Sequence, residues 1–119
     1  MEEQNNPIVI YQSEDGNTRI EVKLENETVW LTQQQLCDLY QTSRTNVVEH
    51  IQHIYEEGEL EESATCRKFR QVRQEGSRMV GRELPYYNLD MIISLGYRVH
   101  SRVATHFRKW ATLPLNKHI

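Results

Sequence analysis

The sequence predicts an α+β domain in which two helices joined by a tight turn lie between two β-hairpins. Three observations predict it: period-two alternation of apolar residues before residue 32, helical spacing of apolar residues over 32–58, and a basic segment over 64–87 centred on a Gly-Ser turn. With 119 residues, the chain has room for one modest core and not for two. Residues 1–119 are therefore expected to form a single domain.

The N-terminal strands are predicted over residues 8–31. Residues 8–12 form a short apolar run, and residues 13–17 are turn-forming. Residues 19–24 then alternate strictly, with Ile20, Val22 and Leu24 on the inward face. A third short strand over 29–31 follows, so this segment is expected to be a β-hairpin extended into a meander.

Two helices are predicted over residues 32–58. Thr32 and Gln35 have the spacing of a capping box at the start of the first helix, and Ser43 is a good N-cap for the second. Gly58 is a natural C-terminal stop. One apolar face in each helix completes the pattern: Leu36, Leu39 and Tyr40 in the first, and Val47, Val48, Ile51, Ile54 and Tyr55 in the second.

This spacing is typical of a helix-turn-helix DNA reader, although it also occurs in purely structural domains. In the DNA-binding form, the start of the second helix meets base edges in the major groove. The helix over 43–57 is therefore predicted to read duplex DNA. The predicted base contacts are Ser43, Arg44, Thr45, Asn46 and Glu49.

The basic hairpin over 64–87 favours a winged helix-turn-helix-like fold, because such a hairpin can hold a phosphate backbone. Between residues 67 and 83 the chain has six basic and two acidic side chains. An exposed hairpin that uses arginines for solubility is the alternative. The predicted phosphate contacts are Arg67, Lys68, Arg70, Arg73, Arg78 and Arg82 on the hairpin, and Arg102 and Lys109 beyond it.

Two C-terminal helices are predicted over 88–112. Asn88 can cap a short helix over 89–95, which Gly96 is expected to end. Ser101 can cap a second helix. Its expected buried stripe consists of Val103, Phe107 and Trp110.

The charges divide between the two halves of the chain. Residues 1–62 contain three basic and fourteen acidic side chains, a net −11, whereas residues 63–119 contain eleven basic and three acidic ones, a net +8. The basic half suits double-stranded DNA, and the acidic half suits a basic protein partner. The alternative function is therefore that of a protein-interaction or antirepressor-like adaptor without DNA binding. Whether the chain forms a homodimer also stays open.

Neither catalysis nor a cofactor is expected. His50 and His53 lack the H-E-x-x-H order and a third ligand, so no metal is predicted. Cys37 is expected to pack between the two helices, and no nucleophile elbow or phosphate loop is found. Without a signal peptide, an apolar run of membrane-spanning length or a paired-cysteine pattern, the chain is expected to be cytoplasmic and not to bind membranes.

The stretches VWLTQQQL, EEGEL, YYNLDMIISLGYRV and FRKWAT resemble the RhuM-type family of virulence-associated bacterial proteins, over residues 8–112. The family is similar to the DNA-binding modules of phage-type regulators. The resemblance implies a cytoplasmic DNA-binding domain, often the N-terminal part of a longer protein. Some members are fused to Fic domains, but the H-P-F-x-x-G-N-G-R motif of those enzymes is absent here.

Two departures from the family pattern stand out. Glu49 replaces a residue that is often polar or basic in the family, and a carboxylate there repels phosphate. After Thr112, where the family is expected to be helical, Pro114 predicts a helix break. A truncated gene, or a domain that has lost its extension, would explain this departure.

Overall fold

The computed structural model describes residues 7–116, and the terminal residues of the predicted 1–119 domain lie outside that range. The chain is α+β, as predicted. Its strands are β1 (Ile8–Gln12), β2 (Arg19–Glu25), β3 (Thr28–Thr32), β4 (Cys66–Glu75) and β5 (Arg78–Asn88). Its helices are α1 (Gln33–Tyr40), α2 (Arg44–Glu56), α3 (Glu62–Thr65), α4 (Leu89–Val99) and α5 (Ser101–Asn116).

All five strands belong to one antiparallel sheet, in the order β1-β2-β3-β5-β4. The two predicted hairpins are joined because β3 pairs with β5, with Leu31 opposite Tyr87 and Thr32 opposite Tyr86. This long-range pairing was not predicted. It places the basic hairpin β4–β5 at one edge of the sheet and β1 at the other.

The core lies between one face of the sheet and the helices. Alternate residues of the N-terminal strands, including Val22, Val29 and Leu31, point inward and are fully buried. They meet Leu36 of α1 and Ile92 of α4, which are also fully buried. The alternation predicted for β2 is confirmed, because Ile20, Val22 and Leu24 are all buried.

Helices α1 and α2 form where they were predicted. The Thr32 side chain accepts a hydrogen bond from the Gln35 amide, and the Gln35 side chain accepts one from the Thr32 amide, which completes the capping box. Ser43 caps α2 by accepting from the Asn46 amide. Between the helices, Gln41 has a φ of 54°, the left-handed conformation that ends a helix sharply.

The C-terminal boundaries differ from the prediction. Helix α4 runs past Gly96 to Val99, and α5 begins at Ser101 itself. The most deeply buried positions of α5 include Ala104 and Phe107, while the predicted Val103 and Trp110 are only partly buried. The predicted break at Pro114 is wrong, because Pro114 is buried and lies within α5. The short helix α3 was not predicted.

Gly96 is a close-packing residue and not a helix stop. A Cβ atom there would overlap the Tyr40 ring and lie 2.6 Å from the Ala104 Cβ, so α4 can approach α1 and α5 only with glycine. Tyr40 cannot move away easily, because its hydroxyl donates a 2.6 Å hydrogen bond to the Ile92 carbonyl.

Gly96→Ala is therefore expected to lower the free energy of unfolding by about 1–3 kcal/mol, the usual cost of overpacking. Helix propensity alone predicts the opposite sign, a gain of about 1 kcal/mol. Urea denaturation followed by tryptophan fluorescence measures the difference. A stabilised Gly96→Ala variant would contradict the packing role.

Candidate nucleic-acid interface

A cleft of about 270 Å³ lies between the basic hairpin and the first residues of α1 and α2. The helices contribute Gln33 and Gln34, which follow the cap residue Thr32, and Arg44, the first residue of α2. The hairpin contributes the opposite wall: Gln71, Arg73, Glu75, Val80, Arg82, Leu84 and Pro85.

The cleft forms because β3 is short and the hairpin is long. Strand β3 ends at Thr32, opposite Tyr86, and α1 begins at the next residue. Strands β4 and β5 remain paired as far as Glu75 and Arg78, so the hairpin extends well past the end of β3. The two helix starts therefore face a hairpin arm that none of the strands within residues 7–116 covers on that side.

The register divides the basic residues of the hairpin between its two faces. Residues directly opposite each other share a face, as Gln71 and Arg82 do, and faces alternate along each strand. The cleft-side face has four of the predicted phosphate contacts: Arg67, Arg73, Arg78 and Arg82. The opposite face has the other two, Lys68 and Arg70.

Among the described residues, three guanidinium groups line the cleft, against one carboxylate. Arg44 donates a 3.1 Å hydrogen bond from Nη2 to Gln33 Oε1. Arg82 pairs with Glu75 at 2.9 Å, but both side chains are largely exposed, so the pair is weak. Arg73 forms no ion pair with any residue between 7 and 116. The cleft consequently has an excess of positive charge.

The five predicted base contacts take different roles at the start of α2. Ser43 and Asn46 hold the helix start together: the Asn46 amide donates to Ser43 Oγ at 3.0 Å, and Asn46 Nδ2 donates to Thr42 Oγ1 at 2.8 Å. Thr45 and Glu49 are exposed, like Arg44. Ser43 is exposed as well, so Asn46, which is partly buried, is the least accessible of the five.

Two predicted phosphate contacts lie away from the cleft. Arg102 is on α5, where its Nε is 3.2 Å from Glu14 Oε1 in the β1–β2 turn, and it lowers the pKa of the Glu14 carboxyl. Helix α5 packs on β1 through Phe107 and Tyr11, whose rings are 4.9 Å apart. Arg102 and the exposed Lys109 therefore belong to the sheet edge opposite the hairpin.

An aromatic cluster that was not predicted anchors the base of the hairpin. The rings of Trp30, Phe69 and Tyr86 meet edge to face, at 5.3 and 5.4 Å between centroids. The Arg67 guanidinium lies 5.5 Å from the Trp30 ring, and Lys23 Nζ lies 4.6 Å from Phe69. The period-two placement of Phe69 between Arg67 and Gln71 is the sequence signal that could have indicated it.

The charge along α2 changes sign. Arg44 begins the helix, whereas its later turns carry Glu49 and Glu56. Glu56 borders a shallow groove together with Glu62 and the half-buried Tyr55. A polyanion can therefore approach the first turn of α2 more easily than the rest of the helix.

The remaining chemistry of the described residues is limited. Within residues 7–116, no group of three or more His, Cys, Asp or Glu side chains is placed to hold a metal ion. Cys37 is buried, and burial raises the pKa of its thiol above the ordinary value. In the same part of the chain, no helix has the length and apolar character needed to cross a membrane.

The C-terminal part of the chain, residues 64–119, matches the model of the virulence protein RhuM family. Over these residues the chain is similar to the RhuM family. The RhuM match covers the basic hairpin, α4 and α5, but neither the N-terminal strands nor α1 and α2, for which a resemblance was also expected. No curated protein and no solved structure matches the chain.

Proposed function

We propose that this chain is a RhuM-type protein that binds duplex DNA as a winged-helix-like module, with the β4–β5 hairpin as the wing. One observation carries the proposal: Arg44 at the start of α2 and Arg73 and Arg82 on the hairpin line the same cleft. We propose a cytoplasmic location for this module and no catalytic activity.

The cleft suits one phosphate backbone of the duplex. Guanidinium groups match phosphate oxygens with paired N–H donors, and the three arginines lie on both walls. The side-chain amides of Gln33, Gln34 and Gln71 add neutral donors, and the start of α2 adds the positive end of its helix dipole. Among the described residues that line the cleft, Glu75 alone opposes the phosphate, and Arg82 already partly neutralises it.

The first turn of α2 enters the major groove in this arrangement. Arg44 and Thr45 face base edges, and the Glu49 carboxylate is suited to accept from a cytosine amino group. Ser43 and Asn46 support the helix start rather than reading bases through their own side chains. Glu56 in the last turn of α2 repels phosphate, so the contact is limited to the first half of the helix and the hairpin supplies most of the affinity.

A fluorescence-anisotropy titration with mixed-sequence duplex tests the proposal. Binding is expected at low salt, and log K should fall linearly with log salt, with a slope of roughly −0.9 for each phosphate contact. A slope of about −3 would correspond to the three cleft arginines. If no binding appears at low salt, the DNA proposal fails. A protein-interaction adaptor that uses the acidic surface of α2 then becomes the better account.

A further inference from the structure

Two apolar side chains are exposed near the tip of the hairpin. Val72 and Met79 are 54% and 67% exposed. Val72 lies opposite Gly81, and Met79 lies opposite Gln74, so the two are diagonal neighbours on one face of the hairpin. That face is the one turned away from the cleft arginines.

Folding leaves this apolar pair uncovered. The hairpin tip extends past the end of β3, and neither residue belongs to the hydrophobic core or to its partly buried border. Gly81 leaves open space beside Val72, which the Arg70 guanidinium occupies: a Cβ on Gly81 would overlap that group. The apolar pair is therefore bordered by a cation.

The surrounding charge indicates a polyanionic partner. Lys68 and Arg70 share the face of Val72 and Met79, with Glu83 opposite Arg70, and the other four basic side chains of the hairpin lie on its cleft-side face. Exposed apolar side chains on a basic β-arm fit the minor groove of DNA, where such residues press between base steps and kink the duplex.

The cleft fixes which groove the tip would meet. If one backbone lies in the cleft, the groove on the α2 side is the major groove. The groove on the far side of that same backbone is then the minor groove, and the outer face of the hairpin is turned toward it.

We propose that the hairpin tip enters the minor groove with Val72 and Met79 and bends the bound duplex. This inference rests on the proposed DNA binding and adds a deformation to it. The expected kink is roughly 20–90°, away from the inserted side chains. Part of the sequence preference would then come from how easily a base step can be deformed.

Energy transfer between dyes on the two ends of a duplex of about 30 bp tests the inference. The wild-type chain is expected to raise the transfer on binding, because a bent duplex brings its ends together. The double variant Val72→Thr and Met79→Gln keeps side-chain size and all arginines. Its affinity for the duplex should stay within about tenfold of the wild-type affinity. A straight duplex contacts less protein surface, which weakens binding, but it also avoids the energetic cost of bending. It should nevertheless lose most of the rise in transfer.

Ile10→Thr provides the matched control, because Ile10 is also exposed, at 42%, but lies on β1 at the other edge of the sheet. This variant should bind and bend like the wild type. Wild-type binding without a rise in transfer would overturn the inference and leave the DNA proposal intact. A full rise with the double variant would overturn it as well. Absence of binding would end both proposals.

Discussion

Replacing Arg44, Arg73 and Arg82 together by alanine is expected to weaken duplex binding at least about a hundredfold at low salt. Each arginine that meets a phosphate releases counterions, so the salt slope should also become shallower by about three. Anisotropy titrations at several salt concentrations measure both quantities. The fold should be retained, because all three side chains are exposed and outside the core.

The matched control removes the same charge elsewhere. Arg19→Ala, Arg102→Ala and Arg108→Ala together delete three exposed arginines from β2 and α5, away from the cleft. This variant should keep the wild-type salt slope and most of the affinity. Equal losses in the two triple variants would show that net charge alone drives binding, which contradicts a specific role for the cleft.

Phe107→Ala is expected to lower the free energy of unfolding by about 3–5 kcal/mol. Phe107 is fully buried, and its ring packs 4.9 Å from Tyr11 and 5.3 Å from Trp110. The contact with Tyr11 holds α5 against β1, so the truncation leaves a cavity at that junction.

Urea denaturation monitored by tryptophan fluorescence measures this loss. Leu113→Ala is the control on the same helix, because Leu113 is 62% exposed and should change stability by less than about 0.5 kcal/mol. A loss of under about 1 kcal/mol for Phe107→Ala would contradict the packing of α5 on β1.

The elements with local signals could be predicted from the sequence. Alternation defines β2, and the capping residues Thr32 and Ser43 define the starts of α1 and α2. The pairing of β3 with β5 could not be predicted, because the two strands are far apart in the chain and no local pattern specifies their register. Gly96 was misleading, since a glycine that ends a helix and one that allows close packing look alike in a single sequence.

The same limit applies to the candidate site. Sequence composition identified the basic hairpin, but the grouping of Arg73 and Arg82 with Arg44 depends on where β3 stops. Arg102 was assigned to the same surface because charge alone does not show on which edge of the sheet a helix packs. Gln33, Gln34 and Gln71 are uncharged, so the charge pattern of the sequence did not indicate them as cleft residues.

The arginine side-chain NMR signals test the central claim most directly. In a titration of the labelled chain with a short duplex, the Nε–Hε resonances of Arg44, Arg73 and Arg82 are expected to shift together, while that of Arg102 stays in place. If the resonances of the three cleft arginines stay unchanged while that of Arg102, or others on α5, shift, the cleft is not the DNA-binding surface.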